Sequence, residues 1–314
     1  MKIYIAKKIL NFIPTFIGAT FLVFMLLYAS PSPPHFSWGP GVTPEMVHEW
    51  IELHGLNDPL MVRYFNYMRG LLRGDLGISF WRNMSITSEV MARFPYTLRL
   101  GLSALFAALL LAIPVGIISA IKRNTWIDKL IKSITSIGIS IPVMWLGMLL
   151  VLFQIRFTSW SPSSDHFWFA RWPMNVILIT TIGAGMFAAM ARDIRFAMLN
   201  ALKHDYLQTA RAKGISRVRI LRKHVFRNAL VHALRTLKTH MGTLFTGVII
   251  VEHLFAFPGI WRFMFQGILT RDYPLIMGCL VMFILIYAAL NFIIDIAAAI
   301  LDPRIRTQHK SYIM

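Results

Sequence analysis

The sequence predicts an all-α polytopic membrane protein, and three observations carry that reading. Of the 314 residues, 56% are hydrophobic and 15% are charged, against about 45–50% and about 25% in soluble domains. The apolar residues gather in runs of roughly 20, the length a helix needs to cross about 30 Å of hydrocarbon. The 32 Lys and Arg far outnumber the 14 Asp and Glu, yet they fall almost wholly between these runs. A basic excess placed there reports membrane orientation and not a nucleic-acid surface, so the lipid bilayer is the expected partner and nucleic acid is not. Long apolar runs favour helices over the alternating pattern of a barrel, because a helix pairs its own backbone polar groups in lipid.

Taken in order, six spans are predicted: residues 9–30, 100–121, 134–155, 173–191, 239–257 and 274–301. The first follows Lys2, Lys7 and Lys8 and is too long for a signal peptide's core of about 7–15 residues, so it is expected to stay as an anchor. Pro14, Pro114 and Pro142 fall inside spans and are expected to mark kinks. The fifth span is the least apolar, with Glu252 and His253 near one end. Trp160, Trp168 and Trp172 suit an interfacial belt.

Charge then sets the sides. The N-terminus, the segments 122–132 and 192–238, and the tail 302–314 together hold 22 of the 32 basic residues. Positive-inside reasoning places these four segments, and hence both termini, in the cytoplasm. The expected organisation is a tip and first span over 1–30, an extracytoplasmic region over 31–99, a five-span core over 100–301 and a cytoplasmic tail over 302–314. Within 31–99, His48, Glu49, Glu52 and His54 lie on an amphipathic helix expected over residues 44–55. Their spacing misses the His-Glu-x-x-His metal pattern, so a surface face is expected there and no metal site.

The segment 192–238 carries 12 basic residues and two acids, Asp193 and Asp205. Asp205 can cap a short helix running through Lys213, and Gly214 can end it. Ser216 can cap a second, in which Val218, Leu221, Val225 and Leu230 approximate an apolar face opposite Arg217, Arg222, Lys223 and Arg227. Two basic amphipathic helices broken at a glycine would also suit simple contact with anionic headgroups.

These residues carry a resemblance. The run Asp205-Tyr206-Leu207-Gln208-Thr209-Ala210-Arg211-Ala212-Lys213-Gly214, followed by Arg227-Asn228-Ala229-Leu230, resembles the "EAA" loop of ABC importer permeases of the dipeptide, oligopeptide and nickel family. Further stretches resemble that family in the same order. They are Asp58-Pro59-Leu60, Arg73-Gly74-Asp75-Leu76-Gly77-Ile78-Ser79, Phe94-Pro95-Tyr96-Thr97-Leu98, Glu252-His253-Leu254-Phe255, Arg271-Asp272-Tyr273-Pro274 and Asp302-Pro303-Arg304.

The resemblance implies a type I ABC importer permease fold of six transmembrane helices, in the inner membrane of a prokaryote. Its implied partners are a second homologous permease, two ATPase subunits and an extracytoplasmic substrate-binding protein. The loop at about 200–232 would form a coupling helix docking on an ATPase, with Asp205, Thr209, Ala210 and Gly214 as coupling positions. Arg211 and Lys213 would meet either the ATPase or the lipid headgroups. The cargo implied is a short peptide, or alternatively nickel or a metal chelate.

No P-loop motif G-x-x-x-x-G-K-[ST] occurs in the chain, so ATP and magnesium are expected on partner subunits and no cofactor on this one. No Gly-x-Ser-x-Gly is present either. An intramembrane enzyme is therefore a distant alternative, as is an ion-coupled secondary transporter, whose paired repeats are not visible. Ionisable residues inside spans are functional suspects. Glu252, near the outer end of span five, can pair with Arg262 or face the translocation path. Asp295, near the inner end of span six, can pair with Arg304 or Arg306 or face the translocation path.

Overall fold

The computed structural model describes residues 2–28, 43–158, 172–202 and 226–301, and among them the regular structure is helical. Eleven helices follow in order: α1 (Lys2–Tyr28), α2 (Pro44–Leu53), α3 (Leu60–Leu71), α4 (Ile86–Ile121), α5 (Trp126–Ser140), α6 (Val143–Thr158), α7 (Trp172–Ala201), α8 (Phe226–Thr239), α9 (Met241–Leu254), α10 (Ile260–Thr270) and α11 (Tyr273–Leu301). Four of them, α1, α4, α7 and α11, are long and apolar enough to cross a membrane, and α5 with α6 makes a fifth span if the bent pair is taken as one.

The six predicted spans thus meet the structure unevenly. The first, second, fourth and sixth fall on single long helices, and α4 begins at Ile86, well inside the region expected to be loop. Pro14 and Pro114 lie within α1 and α4, which run on through them. The third is broken: residues 134–155 divide between α5 and α6, which are bent by 101° and make one span if taken as a pair. Ile141 there is extended, at φ −77° and ψ 122°, and Pro142 has no N–H with which to continue the ladder. The fifth corresponds to α9, whose 14 residues reach about 21 Å, short of a full crossing as a single straight helix.

The chain forms two compact units. One contains residues 1–97 and 258–289. In it α1 and α3 meet through an aromatic cluster, Phe21, Phe24 and Tyr64 with edge-on ring contacts. The Tyr64 hydroxyl donates to the Ile17 carbonyl at 3.1 Å and lies 3.0 Å from the Thr20 hydroxyl, so the buried phenol is satisfied. Helix α2 buries none of its residues; its sequence starts well, with Thr43 accepting from the Met46 amide at 3.4 Å and Pro44 in the first turn. It is the surface helix its pattern predicts.

The same unit draws together two of the motifs. Asp272 is fully buried and accepts a hydrogen bond from the Ser79 hydroxyl at 2.5 Å and from the amides of Phe80 and Trp81 at 3.2 and 3.3 Å. It also caps the start of α11, accepting from the Leu275 amide at 3.3 Å. The chain reaches this carboxylate through Gly77 at φ +93°, a backbone setting that suits glycine. Leu76 then lies against Gly278, where a Cβ would come within 2.6 Å of Ile86 and 3.3 Å of Leu76.

The second unit contains residues 98–257 and 290–314, and α7 is its axis. Helices α5, α6, α8 and α9 all pack on it. The reason is legible in its side chains: Met174, Leu178, Ile182, Met186, Met190, Ile194 and Met198 recur every four residues and are each at most 2% exposed. Its neighbours approach through small residues. A Cβ at Gly116 would meet the Ala191 carbonyl at 2.7 Å, one at Gly138 the Ala188 methyl at 2.9 Å, and one at Gly147 Thr181 and Leu254 at 3.1 Å. Such close seating lets polar and apolar packing replace the hydrophobic drive that lipid does not provide.

Candidate functional site

The predicted coupling positions Asp205, Thr209, Ala210 and Gly214, together with Arg211 and Lys213, lie outside the described residues. What the structure does describe is the frame that carries this loop: α7, which ends at Ala201, and α8, which begins at Phe226. These two helices pack against each other. Two ion pairs and one histidine–carboxylate hydrogen bond gather on the frame and its supports.

The innermost is built on Asp128, in the first turn of α5 and 0% exposed. Arg195 of α7 donates to both its oxygens, Nε at 2.8 Å and Nη2 at 2.9 Å. The Ser119 hydroxyl of α4 donates at 2.7 Å and the Asn124 amide at 3.0 Å, while Lys132 stands at 3.6 Å. Asn124 is left-handed, at φ +65°, which turns the α4–α5 connection tightly enough for its amide to reach the carboxylate. A forked guanidinium fixes orientation as well as charge. One buried carboxylate therefore ties α4, α5 and α7 together shortly before the loop begins.

The second pair joins the other end of the frame. Asp193 of α7 lies 2.9 Å from Nε2 of His240, in the turn between α8 and α9. The third joins α8 to α11. Asp295 is held by Lys238 of α8, at 3.1 and 3.2 Å to its two oxygens, while the partners expected from sequence, Arg304 and Arg306, lie outside the described residues. Lys238 sits 57 positions from Asp295, so this partner is not legible from nearness along the chain. Lys238 is 48% exposed, so the pair contributes modestly to stability. Glu252, the other intramembrane acid, is fully buried in α9.

Sequence reasoning misses Asp128, Arg195 and Ser119 altogether. A signal is present: Asp128 is the one acid in the segment 122–132, among Lys122, Arg123, Lys129 and Lys132. An isolated carboxylate in a basic segment has cause to be paired, although its partner cannot be read from spacing.

Comparison with known proteins agrees with the architecture. Residues 112–307 match the family model described as binding-protein-dependent transport system inner membrane component, and residues 1–101 match that for the N-terminal part of such membrane components. The chain is 32% identical over 305 residues to the glutathione transport system permease protein GsiC of Escherichia coli K12, covering 96% of this chain and 98% of that protein. The same figures hold for GsiC of Shigella dysenteriae. Among solved structures, an inward-facing form of the MetNI methionine ABC transporter superposes with a TM-score of 0.55 at 19% identity, over 68% of this chain and 96% of that one.

Proposed function

Because this chain belongs to the family of binding-protein-dependent transport system inner membrane components, and is thus an ABC importer permease subunit and not an enzyme, we propose that its cargo is a short peptide of glutathione's size. The observation that carries this reading is the near end-to-end similarity to a glutathione permease. Energy comes from ATP and magnesium on two separate ATPase subunits, and a second, homologous permease completes the membrane part. An extracytoplasmic binding protein delivers the cargo. The assembly sits in the inner membrane of a prokaryote, with six spans and both termini in the cytoplasm.

The loop at about 200–232 is the coupling element, with Asp205, Thr209, Ala210 and Gly214 seated on an ATPase. Its stems are α7 and α8, and the pairs Asp128–Arg195 and Asp193–His240 brace them. A displacement of the loop is then passed to α7 and to the helices packed on it, where close packing turns a small shift into a discrete rearrangement. Fully assembled transporter in proteoliposomes tests the reading. Labelled glutathione or another tripeptide should accumulate when ATP, the binding protein and the ATPases are all present. Nickel accumulation in its place, or peptide accumulation without the ATPases, overturns it.

A further inference from the structure

Helix α7 meets its neighbours at two groups of levels. In the half nearer the coupling loop, Arg195 holds Asp128 of α5, Ala188 lies against Gly138 of α5, and Ala191 lies against Gly116 of α4. In the farther half, Thr181 lies against Gly147 of α6. Each helix is weak between its two contacts. The α5–α6 ladder stops at Ile141 and Pro142, between Gly138 and Gly147. In α4, Pro114 removes a backbone donor between Ala104, which faces Gly183, and Gly116. In α7, Gly183 and Gly185 fall between Thr181 and Ala188, and glycine favours a helix interior less than any residue but proline.

Packing does not account for the two α7 glycines. A Cβ at Gly183 would lie 3.4 Å from the Ala104 carbonyl oxygen, and one at Gly185 would lie 3.9 Å from that of Gly138. These are ordinary contact distances, which alanine can meet. Gly116 and Gly138 differ, since a Cβ at either would come within 2.9 Å of α7. What Gly183 and Gly185 supply is a stretch of α7 that bends readily, level with the break in α5–α6.

The half nearer the loop is rigid by contrast. Asp128 accepts a forked pair of bonds from Arg195 at 2.8 and 2.9 Å and one from Ser119 of α4 at 2.7 Å. One buried carboxylate thus fixes three helices in orientation as well as distance. Arg195 stands six residues before the end of α7 at Ala201, about 9 Å of helix. A displacement entering α7 from the loop meets this knot before it reaches the glycines.

We infer that the loop-proximal ends of α4, α5 and α7 move as one block, positioned by Asp128, and that this block swings about a hinge made by Gly183, Gly185 and the break at Pro142. The inference rests on the coupling reading above and adds the joint at which the displacement is taken up.

Spin labels in the complete transporter, embedded in lipid, test it. Cys279, the chain's single cysteine, is 0% exposed and leaves a quiet background. Labels at Lys129 and Phe196 sit on the block, and labels at Val176 and Phe196 span the hinge along α7; all three positions are exposed. ATP with vanadate should shift the separation across the hinge and leave that within the block unchanged. Gly183→Ala combined with Gly185→Ala should lower the population of the shifted state by about 5–30-fold. Its thermal midpoint should be unmoved or raised, a combination that a purely structural role would not produce. Asp128→Asn should let the separation within the block change as well. Equal changes within the block and across the hinge overturn the inference, as does a block that holds its separation in the Asp128 variant. So does an alanine variant that shifts like the parent or melts at lower temperature. Failure of the coupling reading is distinct and overturns both: ATP with vanadate then moves neither separation in the parent.

Discussion

Asp128 concentrates four hydrogen bonds and two cations on one buried carboxylate. Breaking a buried pair from one side leaves the other charge uncompensated, at about 3–5 kcal/mol. Removing one hydrogen bond to a charged group costs about 1.5–3 kcal/mol. Asp128→Ala should therefore destabilise the permease more than Ser119→Ala, read as a larger drop in the thermal midpoint of the detergent-solubilised complex. Equal losses would show that the pair, and not merely one bond, contributes little. This site is opaque in the sequence because Arg195 lies 67 positions away, and no spacing rule links two residues on different helices. Asp295 shows the same limit. That it would be paired is legible, but Lys238 stands 57 positions away, beyond any spacing rule. The buried Asp272–Ser79 contact shows the complement, since both partners stand within recognisable motifs while 193 positions separate them.

Helices are readable wherever length and apolarity agree. The runs behind α1, α4, α7 and α11 need only a count of about 20 residues. The third run meets the same count, and what it conceals is a conformational choice: a proline stops the ladder, but packing on α7 decides whether the helix bends slightly or turns through 101°. The glycines give the packing a test. Gly116→Ala would place a methyl 2.7 Å from the backbone oxygen of Ala191, so α4 and α7 must part at an overpacking cost of about 1–3 kcal/mol. At Gly18 in α1 an added methyl would meet nothing within 4 Å, and Gly18→Ala should be neutral or stabilising by up to about 1 kcal/mol. Thermal unfolding of the two variants should move in opposite directions or leave Gly18→Ala unmoved. At the coupling loop, Gly214→Val should separate ATP hydrolysis from uptake or release the ATPases, while the protein still inserts. Normal uptake at normal expression would falsify a role for that glycine as the end of the docking helix.

For the molecule as a whole, orientation follows from where 22 of 32 basic residues lie. A reporter fused after Lys203 should be cytoplasmic and one placed near Glu52 extracytoplasmic; the reverse labelling overturns the assignment. Family membership is legible because many short stretches recur in order across the chain, each weak alone. The cargo is less legible, since among the described residues no group of metal-binding side chains announces it. The two-sided bend at Pro142 bears on how such transporters diverge. On its inner side, a methyl on Gly138 would come within 2.9 Å of the Ala188 methyl, and one on Gly147 within 3.1 Å of the Thr181 and Leu254 side chains. On its outer side, Ser136, Ser140 and Trp145 are exposed. Substitution can therefore reach those three side chains one at a time with the scaffold left whole, whereas a methyl on Gly138 must push α5 off α7.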